Sequence, residues 1–160
     1  MAKRYGQVAI TGDKELLEVL KRLPKHISDK ILDKAIRKGA NILKKEASLR
    51  APSRKGNNVL RRYGKGLKRE IIVRKLAKRK ARGETILQVG PSRDAFYGIF
   101  VEFGTVHRYH KSGKSVGAIT QDNAQPFMRP AFDAKVDEIQ SEATKILRDE
   151  VMRAAGRLAR

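Results

Sequence analysis

From Arg129-Pro130 onward the chain carries one apolar stripe, Phe132, Val136, Ile139, Ala143, Ile146, Leu147, Val151, Ala155 and Leu158, at three- and four-residue spacing. Side chains at that spacing share one face of an α-helix. Pro130 suits its first turn, where a missing amide costs nothing. The stripe predicts a helix of roughly 28 residues, which at 1.5 Å per residue approaches about 40 Å. Such a rod is long for a chain of 160 residues, and the other elements have to be arranged along it.

A second helical pattern runs from about Ser28 to Arg50. Ile31, Ala35 and Ile42, with Leu32, Ile36, Gly39 and Leu43, form its buried face, and Lys30, Lys34, Arg37, Lys38, Lys44 and Lys45 occupy the rest. Ala51-Pro52 ends it, because the residue before proline is pushed out of the helical region. Before it, Gln7–Ile10 can form a short strand. Asp13 and Glu15 then open a short helix carrying Leu16, Leu17, Leu20 and Leu23, which ends near Pro24.

The middle of the chain changes period. Leu67–Leu76 and Thr85–Val89 alternate β-branched with polar residues around the basic stretch AKRKARGE, which predicts a β-hairpin with a charged tip. A helix over Leu67–Arg82 is the competing reading, since Lys and Ala favour helices. Phe96, Tyr97, Phe100 and Phe103 cluster in one segment and are expected in the core, each ring able to bury about 150 Å² or more. Residues 52–66 and 104–124 are rich in polar residues and glycine and read as loops. The expected fold is α+β in one domain over 1–160: a small antiparallel sheet with a basic β-hairpin, packed against a central helix and a long C-terminal helix.

No apolar run of about 20 residues exists to span a membrane. The opening MAKRYGQVAI lacks the apolar stretch of a signal peptide. A chain made and used in a cytoplasm, with no membrane partner, is expected. The absence of cysteine excludes disulfides, thiolate catalysis and every cysteine-based metal site.

The net charge of +20 is unevenly placed. Residues 44–82 hold sixteen basic and two acidic groups, whereas 131–160 hold six of each. A block that one-sided exceeds what solubility requires and suits contact with a polyanion such as DNA. The residues expected to make it are Arg54, Lys55, Arg61, Arg62, Lys65, Lys68, Arg69, Lys78, Arg79, Lys80 and Arg82. A free-standing, sequence-independent nucleic-acid-binding protein is one function this block supports.

Chemistry-bearing residues are few. Glu102 sits among aromatics in VEFGT, where a buried carboxylate needs an ion pair or backbone amides; a structural role is expected for it, with Phe103 and Gly104. His107 and His110 stand three apart and, with Glu102, could be imagined in a metal-dependent hydrolase. The glycines and serines around the two histidines suggest a loop, and no third ligand is signalled. No Walker loop, GxSxG or full GxGxxG appears. No catalytic residue, metal or cofactor is therefore expected. In Gln125–Phe132, Pro126 and Pro130 fix the backbone at the start of the last helix. Phe127, Met128 and Phe132 supply apolar knobs for the core or a neighbouring chain. Val151 and Leu158, toward the far end of that helix, are further candidates for contact with another subunit.

Taken in order, the pieces GDKELLEVLKRLP at 12–24, Ala35-Ile36-Arg37-Lys38-Gly39-Ala40 with Ala51-Pro52, Gly66-Leu67-Lys68-Arg69-Glu70-Ile71, Tyr97 with Val101-Glu102-Phe103-Gly104-Thr105, and Gln125-Pro126-Phe127-Met128-Arg129-Pro130-Ala131-Phe132 carry a resemblance. The chain resembles the tail-component family of lambda-like phages and prophages, also described as neck or tail-completion proteins. It departs from the family pattern in the thirteen residues Ser53 to Lys65, inserted between Ala51-Pro52 and Gly66-Leu67. The resemblance implies a structural subunit of a homo-oligomeric ring at the head-to-tail joint of the virion, assembled in the bacterial host. The implied partners are neighbouring connector proteins, the tail tube or tail terminator, and double-stranded DNA in the lumen.

Overall fold

A computed structural model gives the arrangement of residues 18, 20–52, 66–76, 85–109, 111–119 and 124–158, which are the residues described below. The elements are helix α1 (Lys25–Arg50), a single 3-10 turn (Leu67–Arg69), strands β1 (Ile71–Lys75) and β2 (Leu87–Pro91), a short helix α2 (Gly98–Phe103), strands β3 (Thr105–Tyr109) and β4 (Ser115–Ile119), and helix α3 (Met128–Leu158). The fold is α+β and mostly helical. No described helix is long and apolar enough to cross a membrane.

Two compact units emerge, Met1–Leu43 with Val73–Gln88 and Ala134–Arg160, and Lys44–Ile72 with Val89–Asp133. Length alone argued for one domain. Here α1, β1, β2 and α3 each contribute residues to both units.

In the first unit α1 and α3 run antiparallel: Gly39 meets Ile139, and further from that point Lys34 meets Glu150. Leu23, Ile31, Ala35, Leu147 and Val151 form the buried cluster between them, flanked by Leu20, Ile27, Leu32, Ile146 and Ala154. In α3 the buried positions Ile139, Ala143, Leu147 and Val151 repeat every fourth residue, as the sequence stripe requires. Burying each Leu or Val side chain contributes roughly 1.5–3 kcal/mol. Ion pairs edge this core: Lys34 to Glu150 at 2.7 Å, and Lys75 to Asp33 at 2.6 Å with Arg37 at 3.2 Å on the same carboxyl. The hydrogen bond from Lys75 holds Asp33 below the ordinary aspartate pKa against the opposing effect of burial, with Arg37 assisting. Lys34 does the same, more strongly than Arg153, for Glu150.

The expected pairing of 67–76 with 85–89 is present as a two-stranded sheet of β1 and β2. Its flanking bonds, the Ser92 amide to the Glu70 carbonyl and the Leu76 amide to the Ile86 carbonyl, run in the antiparallel sense. The basic tip at 77–84 lies outside the described residues. The segment 104–124, read as a loop, holds an antiparallel hairpin of β3 and β4, in which Thr105 pairs with Ile119 and Tyr109 with Ser115. Its strands carry Thr105, Val106, Tyr109, Val116 and Ile119, residues that favour extended backbone, and Gly113 makes the turn at a φ of 79°. Polar spacing residues hid that signal.

Candidate functional site

The long helix α3 begins without a polar cap of its own. Phe127 holds the capping position, and an apolar side chain cannot accept from the free amides of a first helical turn. Glu102 supplies what is missing. Its carboxylate accepts the amide of Phe127 at 2.7 Å and that of Met128 at 2.8 Å on one oxygen, and that of Arg129 at 3.1 Å on the other. The fourth amide of such a turn would belong to residue 130, which is proline and has none. The Ala131 amide then makes the first bond of the helix proper, to the Phe127 carbonyl. One carboxylate and one proline thereby account for every orphan donor of the helix start.

Burial of Glu102 follows the same logic. A lone carboxylate taken from water costs several kcal/mol, but three charge-assisted bonds and the positive end of a helix dipole offset that cost. The Gln125 backbone amide donates a further hydrogen bond to the Val101 carbonyl at 3.0 Å, joining the same two segments. Both carboxylate oxygens accept main-chain amides, which is the structural role expected of Glu102. Of His107 only the backbone, in β3, is described, and His110 lies outside the described residues.

The surrounding pieces position Glu102. Leu67, buried at the 3-10 turn, packs on Gly98, where a Cβ would come within 2.7 Å of its Cδ1. Ser92 donates its hydroxyl to the Glu70 carboxylate at 2.7 Å, tying the start of β1 to the end of β2. Gly104 takes a φ of 70°, open to glycine at little cost, and so turns the chain sharply from α2 into β3.

The opposite side of α2 is exposed. Phe96 and Ile99 each stay 53% accessible and Phe103 is open as well, although Phe96 leans edge-on against Tyr97 and Phe100. Of the four rings expected in the core, Phe96 and Phe103 are exposed and Tyr97 and Phe100 half-buried, because the buried face of this short helix is taken by Gly98 and Glu102. Residues 95–101 carry no charge.

Other sequence-derived candidates separate. Phe127 and Val151, expected as contacts between subunits, are buried within the chain itself, Val151 in the cluster with Leu23, Ile31, Ala35 and Leu147. Met128, Phe132 and Pro130 are half-buried and Pro126 is exposed. The Leu158 side chain lies outside the described residues. Lys68 and Arg69 are exposed on the 3-10 turn. Arg54, Lys55, Arg61, Arg62, Lys65, Lys78, Arg79, Lys80 and Arg82 fall outside the described residues, so no geometry joins them. Sequence reasoning missed the partner of Glu102, which lies 25 residues along the chain and is backbone.

Residues 14–104 match the family model described as "Bacteriophage HK97-gp10, putative tail-component". The chain belongs to this family. The matched span of the HK97-gp10-like chain ends at Gly104 and so contains Glu102, while the three amides that Glu102 holds lie beyond it. No curated protein and no solved structure matches the chain.

Proposed function

We propose that this protein is a non-enzymatic structural subunit of the virion, several copies closing into a ring at the joint between head and tail through which the DNA passes. Membership of a tail-component family carries the reading. The exposed ridge of Phe96, Ile99 and Phe103 supports it, since a solitary domain gains nothing from grouped apolar surface whereas a subunit does. Copies of a chain with net charge +20 repel one another. Contact between them is favoured where charge is scarce, as it is on this ridge. A ring formed by rotation brings such a ridge against a different surface of the next copy.

The excess of basic residues over 44–82 would then be repeated around the lumen and attract DNA without reading its sequence. Neighbouring connector proteins and the tail tube or tail terminator would meet the two open faces. A photo-crosslinking phenylalanine analogue placed at position 96 tests the contact in assembled particles. The expected product is a ladder in multiples of 18.0 kDa. Crosslinks only to a different protein would contradict self-association through α2.

A further inference from the structure

The two long helices present unlike surfaces. Ten residues of α1 are exposed; seven are Lys or Arg and none is acidic. The exposed residues of α3 include five basic and four acidic ones, so its field largely cancels. The three acids of α1, Asp29, Asp33 and Glu46, are all half-buried; Asp33 is held by Lys75 and Arg37, and Glu46 by Arg50 at 2.6 Å.

Within the first unit the excess concentrates on Lys30, Lys34, Arg37 and Lys38. At 1.5 Å and 100° per residue these four span about 12 Å of helix and about 100° of arc. Among the described residues no carboxylate lies within ion-pair distance of Lys30 or Lys38. Lys34 and Arg37 each hold one and still leave 61% and 48% of their side chains accessible. A surface built only for solubility mixes both signs, whereas a single-sign field attracts an opposite polyelectrolyte. Duplex DNA carries one negative charge per roughly 1.7 Å of axis, so a row of this length faces several phosphates at once.

We infer that the outer face of α1, at Lys30, Lys34, Arg37 and Lys38, is a sequence-independent contact for the phosphate backbone of double-stranded DNA. It rests on the reading of a virion part that meets DNA and adds a structured surface to the basic residues of 52–82. Four long side chains on a rigid helix contact phosphates without reaching base edges, so affinity depends on salt and not on sequence.

The test measures binding of the full chain to two unrelated fluorescent duplexes by anisotropy across a salt series. Lys30→Gln with Lys38→Gln, both on the solvated face, is expected to lower the salt slope by roughly 2, about 0.9 for each phosphate contact removed, with equal loss on both duplexes and an unchanged melting curve. The control Lys145→Gln with Arg157→Gln, which removes exposed cations of α3, is expected to retain the parent slope. If the parent binds but the α1 variant keeps its slope, or the control loses as much, this inference fails and DNA passage along the 52–82 residues still stands. If the parent binds neither duplex at any salt, both fail.

Discussion

Helix α3 begins on a carboxylate borrowed from another element, whereas α1 begins on its own backbone, the Pro24 carbonyl accepting the amides of Ile27 and Ser28. Their outer faces differ as well, one with seven exposed cations and no exposed acid, the other of mixed sign. A start made locally depends only on neighbouring residues, so α1 can devote its surface to charge. The start of α3 depends on Glu102 keeping its place beneath the exposed ridge of α2.

Removing the polar side chain found at each start should expose the contrast. Glu102→Ala leaves three amides of α3 without acceptors and is expected to cost about 3 kcal/mol or more, measured by urea denaturation, because each unsatisfied buried donor costs about 1–3 kcal/mol. Glu102→Gln, which retains one acceptor oxygen but loses the charge, should lie between that variant and the parent. In α1 the Ser28 hydroxyl bonds only the Lys25 carbonyl, and Ser28→Ala, which leaves the amides on the Pro24 carbonyl in place, should change stability by less than about 0.5 kcal/mol. Equal losses at the two starts would remove the distinction drawn between them.

Much of this was legible in the sequence, and the rest was hidden for identifiable reasons. Both long helices follow from periodic Ile, Leu, Val and Ala, since the same residues that set the period fill the core. The strands β1 and β2 follow from Ile71, Ile72, Leu87 and Val89. The need of Glu102 for amides followed from its aromatic setting, but the donors could not be named because main-chain atoms leave no residue signature. Phe96 and Phe103 misled because clustered apolar residues are buried by default, and nothing in the sequence shows that the inner face of α2 is already filled by Gly98 and Glu102. The basic row of α1 was present at i, i+4, i+7 and i+8. Only the exposure of those positions, and the partial burial of Asp29 and Asp33 beside them, made it a surface.

A pH-dependent effect of similar size concerns the ion pairs that edge the helix core. The Asp33 carboxyl titrates lower in the folded chain than when unfolded. Its contribution is thus present above the ordinary aspartate range and is lost as pH falls through the folded value. Asp33→Asn should cost less than about 1 kcal/mol near neutral pH, and its difference from the parent should shrink away between about pH 5 and pH 2. A difference constant over that range would show that the pair with Lys75 contributes nothing through charge.

The central claim, a structural part at the joint between head and tail, is tested most directly by electron microscopy of particles assembled without this chain. DNA-filled heads lying beside separate, finished tails are the predicted result. Normally joined virions would contradict it.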